Sequence, residues 1–133
     1  MDYIWPSEEQ WSYIQNQVDK TRPIRMLNLL KYKATADYSD HPGETPCSGK
    51  IAYDRYRKHA LPLAQEYGGA VIFSGDSSRA IIGPETDHWD EVLLVEYPSV
   101  KAFVEMASSE KYQSFAYHRA AAVSDSPLVP MSV

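Results

Sequence analysis

Apolar residues along this chain are concentrated in short runs and in stretches with helical spacing. Four runs are rich in apolar side chains and are bounded by polar or turn residues, which is typical of β-strands. They are IRMLNLLKY (24–32), AVIFSG (70–75), RAIIG (79–83) and EVLLVEY (91–97). The Asp-Ser-Ser sequence between the second and third runs predicts a β-hairpin.

Helical spacing marks the N-terminal region first. Ser7-Glu8-Glu9-Gln10 forms a capping box, which predicts a helix from there to about residue 19. Trp11, Ile14 and Val18 then share one stripe of that helix. The sequence TRP that follows stops the helix before the first predicted strand.

Two later regions have the same spacing. Residues 50–67 predict a long helix that is kinked at Pro62 and stopped by two glycines, Gly68 and Gly69. Ser99 caps a further helix, and a second helical piece follows over residues 110–118. The tail over residues 120–130 is predicted to add a last strand.

The order of these elements predicts an α+β fold of the ferredoxin-like βαββαβ type with an antiparallel sheet. We expect a single domain over residues 1–133, with an N-terminal helical extension in residues 1–22. Residues 33–49 form a long loop rich in Pro, Gly and Ser. Such a loop is either a lid over a site or a mobile insertion.

The first and third predicted strands carry apolar side chains on both faces. Leaving one face of the sheet in water would forgo several kcal/mol, which is comparable with the stability of a small domain. Either the N-terminal helix or a second copy of the chain covers that face. We expect a homodimer, because a helix of about four turns is too small for a whole sheet face. The pattern leaves open whether that helix packs on its own subunit or on the partner.

Composition narrows the possible partners and the compartment. The 133 residues include 13 Lys and Arg and 18 Asp and Glu, for a net charge of -5, with no basic run. This balance argues against nucleic acid as a partner. The single cysteine, Cys47, excludes an internal disulfide. The start lacks an apolar signal core, and no run approaches the length of a membrane span, so we expect a cytoplasmic protein without a membrane partner.

Two longer strings carry a family resemblance. They are YRKHALPLAQEYGGAVIFSGD (56–76) and WDEVLLVEYPSVKAFVEMASSEKYQSFAYHRAAAVSDS (89–126). The chain resembles the domain-of-unknown-function 1330 family, which is similar to the dimeric α/β-barrel superfamily that includes antibiotic-biosynthesis monooxygenases. The resemblance implies a dimeric α/β barrel and no particular activity. The helix before Pro23 and the loop after Lys33 depart from the compact family pattern.

Four polar residues are candidates for catalysis. Asn28 and Tyr32 share one face of the first strand and can orient a substrate carbonyl or phenol. The alternative is an Asn28 amide bonded to neighbouring backbone. His118 is a candidate general base, and Arg119 beside it would stabilise negative charge. A histidine at a helix end can instead only compensate the helix dipole.

A second group of residues is a candidate for ligand binding. Tyr53 and Tyr56 can line an aromatic pocket together with Trp89, although aromatic residues at helical spacing are usually core. Glu96 shares a strand face with apolar neighbours, so we expect it to pair with Arg119 or Arg79. Such a pair would bind a polar ligand or act as a structural ion pair.

No cofactor or metal is expected. The four histidines lack metal-ligand spacing, and the chain has no Walker loop, GxSxG elbow or GxGxxG fingerprint. The leading hypothesis is a homodimer whose two sheets enclose an aromatic-lined cavity in each subunit, which binds a small, partly apolar organic molecule. If the protein is catalytic, we expect cofactor-free oxygenation or proton-transfer isomerisation. The alternative is a non-catalytic ligand-binding or structural homodimer.

Overall fold

The computed structural model describes residues 3–16, 21–84 and 88–133. The end of the first predicted helix, including Val18, lies outside the described residues. The helices are α1 (Glu8–Asn16), α2 (Gly49–Glu66), α3 (Val100–Ser108), α4 (Glu110–Phe115) and α5 (Tyr117–Ala122). The strands are β1 (Ile24–Tyr32), β2 (Ala70–Asp76), β3 (Glu91–Tyr97), β4 (Val123–Asp125) and β5 (Leu128–Ser132).

The five strands form one antiparallel sheet. The order is β2-β3-β1, and β4 and β5 both pair with the outer edge of β1. The predicted last strand is therefore two short strands with a break between them. This arrangement of sheet and helices is the ferredoxin-like α+β fold that the sequence predicts.

The hairpin predicted between residues 70–75 and 79–83 is wrong. β2 pairs with β3 instead, from Ala70 opposite Glu96 to Asp76 opposite Glu91. Residues 79–83 form no strand, and Ile81 and Ile82 are 100% and 93% exposed. Gly83 has a φ of 136°, which breaks extended backbone, and β2 remains the terminal strand of the sheet with β3 as its partner.

Local sequence signals fix the ends of α2. The Ser48 hydroxyl accepts a hydrogen bond from the Ile51 amide, and Gly68 adopts a φ of 83° just after the helix. Gly49 permits a close approach, because a Cβ there would lie 2.2 Å from the Lys33 carbonyl oxygen. The helix continues through Pro62 as one element.

One face of the sheet packs against the helices. Its core residues lie at alternate positions of β1 and β3, starting with Ile24 and Met26 on β1. They contact Leu63 of α2, Met106 of α3 and Phe115 of α4 within the same buried cluster. A second cluster around Leu30 and Tyr53 fills the other end of the core. Because buried and partly exposed side chains alternate along β1 and β3, each strand presents one buried face.

The opposite face, which we call the open face, carries a row of apolar side chains across four strands. Leu27 lies at its centre, directly opposite Leu94 and Val129. Leu94 in turn lies opposite Phe73, which is 58% exposed. The first helix does not cover this row, because α1 lies against α3 and none of its residues is buried. The described part of the N-terminal region, α1 included, therefore provides no helix over this row.

Candidate functional site

A buried ion-pair network joins α2 to the sheet. Arg57 donates to both carboxylate oxygens of Glu91, each at 2.9 Å, and to the Tyr32 hydroxyl at 3.1 Å. Tyr32 donates to Glu91 at 2.6 Å. Burial would raise the pKa of Glu91, but the hydrogen bonds from Arg57 and Tyr32 bring it below its usual value. Burial and the same carboxylate raise the pKa of Tyr32. Tyr32 is thus engaged in a cross-link within the subunit.

Asn28 and Arg119 are bonded to backbone. The Asn28 amide nitrogen donates to the carbonyl oxygens of Met26 and Leu93, both at 3.2 Å. Arg119 donates to the Ile4 carbonyl, and to the Ser126 carbonyl and hydroxyl at 3.2 and 3.0 Å. Arg119 therefore links the N-terminal segment to the residues between β4 and β5. Its side chain is engaged in these bonds, although Arg119 follows His118 directly in the sequence.

The tyrosines proposed for a pocket lie in the core. Tyr53 is buried, and burial raises its pKa to about 12. The Tyr56 hydroxyl is 2.9 Å from the Tyr112 hydroxyl. Trp89 is partly exposed just before β3, and Arg79 is exposed in the segment after β2.

The partner expected for Glu96 needs correction. Glu96 pairs with Arg25, at 2.9 Å, on the open face. The register explains this choice, because the two residues are directly opposite on β1 and β3. Arg119 lies instead on α5, bonded to Ser126.

His118 is the centre of a polar cluster built by the long loop. Its Nδ1 is 2.6 Å from the Tyr38 hydroxyl. Its Nε2 is 4.0 Å from a Glu44 carboxylate oxygen, which is longer than a hydrogen bond. The Tyr117 hydroxyl donates to that same oxygen at 2.6 Å, and Arg55 lies 3.6 Å from the other.

Backbone hydrogen bonds fix the loop that supplies Tyr38 and Glu44. The Asp37 amide donates to the Ala121 carbonyl and the Lys33 amide to the Ala122 carbonyl, at 2.9 and 2.8 Å. The Gly49 amide closes the loop onto the Lys33 carbonyl at 3.0 Å. Sequence reasoning missed both side chains. Tyr38 was the available signal, since an aromatic residue in an otherwise polar loop usually packs against something.

The cluster disfavours the charged form of His118. Burial lowers the pKa of His118, and the neighbouring Arg55, His59 and His41 act in the same direction. Glu44 opposes this shift only in part. The hydrogen bond from Tyr117 lowers the pKa of Glu44 and raises the pKa of Tyr117 to about 12.

A groove of about 400 Å³ runs between α2 and the α4–α5 segment, and His118 forms part of its wall. Its apolar lining is Pro62, Leu63 and Phe115. Its polar lining is Lys58, His59, Lys111, Ser114, Tyr117 and His118. The His59 ring stacks on Phe115, with centroids 5.3 Å apart. The groove lies on the helical side of the sheet, away from the open face.

The state of His118 can be checked by its titration. We expect NMR of its ring protons to give a pKa below the ordinary 6.5, and Glu44→Gln to lower it further. A folded-state pKa below the unfolded value means that neutral His118 stabilises the protein fully above the unfolded pKa. That stability is lost as the pH falls through the folded value. Urea unfolding at pH 7.5 and 5.5 should therefore show a loss on acidification that His118→Gln reduces. A His118 pKa above 6.5 would contradict the geometry.

A family model described as Domain of unknown function (DUF1330) matches residues 47–130, more than half of the sequence. The chain belongs to this family. The resemblance that the two sequence strings carry is thereby confirmed. The matched range of this DUF1330 protein contains His118 and the groove, and it excludes Tyr38 and Glu44. No curated protein matches the sequence.

Solved structures support the same fold for this DUF1330 protein. A protein of unknown function from Rhodopseudomonas palustris is 36% identical, with a TM-score of 0.91 over 100% of this chain and 98% of that chain. A dimeric protein of unknown function with a ferredoxin-like fold, from Bacteroides fragilis, is 9% identical, with a TM-score of 0.52 over 84% and 96%. The hydroxynitrile lyase from Passiflora edulis is 13% identical, with a TM-score of 0.53 over 85% and 94%. The last two likenesses concern the fold alone.

Two further findings concern the described part of the DUF1330 protein. None of its helices combines the length and apolarity that crossing a bilayer requires. Within residues 3–16, 21–84 and 88–133, no three or more His, Cys, Asp or Glu side chains are grouped so as to hold a metal ion.

Proposed function

We propose that the protein is a homodimer, that each subunit binds a small, partly apolar organic molecule in the helix groove, and that His118 transfers a proton of that molecule. One observation carries the proposal. His118 forms part of the wall of a ligand-sized groove, burial lowers its pKa, and the Tyr38 hydroxyl is within hydrogen-bond distance of one of its ring nitrogens. The groove volume of about 400 Å³ falls within the range of small-molecule sites.

Proton transfer by His118 requires one tautomer. If the Nδ1–H donates to the Tyr38 oxygen, Nε2 carries the lone pair and acts as the base. A carbon next to a carbonyl of the bound molecule then gives its proton to Nε2. The electron pair of the broken C–H bond is delocalised onto the carbonyl oxygen. Return of the proton to another conjugated carbon completes an isomerisation without oxidant or cofactor.

Tyr38 and Glu44 are positioning residues in this scheme. Tyr38 orients the ring, as the hydrogen-bonded partner of a catalytic histidine commonly does. The Glu44 carboxylate, near Nε2, stabilises the imidazolium that forms after proton uptake. Asn28, Tyr32 and Arg119 already have partners within the subunit, so the proposal assigns no substrate contact to them.

The homodimer part of the proposal is supported by the open face. Its central row is apolar across four strands, and a second copy placed face to face covers it in both subunits at once. The Bacteroides fragilis protein, which shares the fold, is dimeric. Because the groove lies on the helical side, each subunit of such a dimer keeps its groove accessible.

The test uses phenylacetone in D₂O as a small aromatic ketone. We expect the protein to accelerate exchange of its CH₂ protons, followed by NMR, and His118→Gln to slow the catalysed exchange about a hundredfold. Ligand-induced shifts of backbone amides should cluster at Leu63, Phe115 and Tyr117 around the groove. His88→Gln, the same change at an exposed histidine, is the matched control and should leave the exchange rate unchanged.

A second variant separates catalysis from folding. Tyr38→Phe keeps the ring and removes the hydroxyl that holds Nδ1, so it should slow exchange and change its pH profile while the fold is retained. Amide shifts in the groove without accelerated exchange would favour the non-catalytic ligand-binding homodimer. The absence of shifts at the groove would contradict the proposed site.

A further inference from the structure

The charged side chains that line the groove, Lys58 and Lys111, are of one sign. Lys58 of α2 and Lys111 of α4 line it from facing helices, and none of its lining residues is acidic. Glu44, the nearest carboxylate to His118, accepts a hydrogen bond from Tyr117 and is paired with Arg55. The groove is therefore locally positive within a chain whose net charge is -5.

Both lysines can turn towards a bound molecule. Among the described residues, Lys58 has no ion-pair partner. Lys111 lies 3.4 Å from Glu66, but both side chains are mostly exposed, so this pair is weak. A ligand anion that enters the groove can replace Glu66 as the partner of Lys111 at little cost.

The groove also has an apolar part. Leu63 and Phe115 belong to the core cluster at its base, and the His59 ring is stacked on Phe115. A flat hydrocarbon body packs on such a surface, whereas a small hydrophilic anion gains nothing from it. Two lysines match one or two negative charges, fewer than a nucleotide triphosphate or a nucleic acid strand carries.

From this arrangement we infer that the groove takes a small carboxylic acid with an aromatic or cyclic apolar body, bound as its carboxylate between Lys58 and Lys111. The inference rests on the proposed function, because it names the class of molecule that occupies the same groove. The carboxylate anchors the molecule at the rim, and the apolar body extends along Phe115 towards His118.

The test compares acids with their uncharged amides, which have nearly the same shape. The probes are benzoate with benzamide, and phenylacetate with phenylacetamide, titrated into the 133-residue protein and followed by NMR shifts. We expect each acid to bind at least tenfold more tightly than its amide at low ionic strength, and the difference to shrink as NaCl is added. Acetate, which has the charge without the apolar body, should bind much more weakly than benzoate.

Lysine variants test whether Lys58 and Lys111 bind the carboxylate. Lys58→Gln and Lys111→Gln should each weaken benzoate binding about three- to tenfold and leave benzamide binding unchanged. Lys101→Gln on α3 is the matched control, since Lys101 is exposed and is not among the groove residues. It should change neither affinity.

The outcomes separate this inference from the proposed function. Equal binding of acid and amide, with no effect of the lysine variants, overturns the carboxylate class and leaves an organic-molecule groove in place. If acetate binds as tightly as benzoate, the inference that the ligand has an apolar body is overturned. If neither acids nor amides shift the groove resonances, the proposed site itself fails.

Discussion

Leu27→Asp should convert the protein from a dimer to a monomer at micromolar concentration. Leu27 lies at the centre of the apolar row on the open face, between Leu94 and Val129. In a twofold interface the change occurs twice, and each copy loses about 2 kcal/mol of leucine burial and also introduces a carboxylate without a partner. A loss of about 4 kcal/mol or more corresponds to roughly a thousandfold weaker dimer.

Size-exclusion chromatography with light scattering measures this result. The wild type should have about twice the 15.1 kDa subunit mass, and Leu27→Asp should have the mass of one subunit. Phe73→Asp is a second variant at the end of the same row. Phe73 is already 58% exposed in the single subunit, so its replacement leaves the monomer core intact.

The matched control places the same charge on the helical side. Ile51 of α2 is 51% exposed, and Ile51→Asp near the helix N-terminus should leave the dimer mass unchanged. A wild type with the mass of one subunit would overturn the homodimer. If Leu27→Asp and Phe73→Asp both remain dimeric and folded, the dimer uses another surface.

Glu91→Gln should lower the free energy of unfolding by about 3 kcal/mol, the usual cost of removing one partner of a buried ion pair. Only 8% of the Glu91 side chain is exposed, and its carboxylate accepts hydrogen bonds from Arg57 and Tyr32. The amide cannot accept all of these bonds, and Arg57 keeps only the mostly exposed Asp54 carboxylate, 3.4 Å away, as an ion-pair partner. Urea unfolding at pH 7 and at fixed protein concentration measures the change, because dimerisation also contributes to stability.

Glu105→Gln on α3 is the matched control away from the open face. Glu105 also has a basic partner, Lys101, at 3.9 Å, but 55% of its side chain is exposed. Its removal should cost less than about 1 kcal/mol. Equal losses of unfolding free energy for the two variants would contradict the claim that burial makes the Glu91 ion pair more costly to break.

Much of the fold could be predicted from the sequence, because several elements carry their signals locally. β1 and β3 begin and end where the apolar runs meet polar or turn residues. Ser99 caps α3 through its hydroxyl, as its position before an apolar helical stripe predicts. Residues 79–83 look like a strand for the same local reason. The choice of a pairing partner is not local, and β3 takes that place.

Less of the proposed site could be predicted from the sequence. His118 was a candidate because of its chemistry, but Tyr38 is 80 positions away and is brought to it only by the folding of the loop. No periodicity marks a contact of that kind. The pairing of Glu96 was misjudged for a different reason. The long side chain of an arginine can reach carboxylates at several positions, so its partner is not evident from the sequence. The register of β1 against β3 places Arg25 directly opposite Glu96.

The closure of the loop at Gly49 has a consequence for how such a site can diversify. Lys33 and Gly49 are joined by a backbone hydrogen bond and approach so closely that no side chain fits between them. The loop leaves and re-enters the structure at nearly one point, so its interior can lengthen, shorten or change sequence without shifting β1 or α2. His118 and the groove lie on the helices. Tyr38 and Glu44, which lie next to the histidine, belong to the loop. The proposed function therefore allows substitutions in this loop to change the basicity of His118 while the groove keeps its structure.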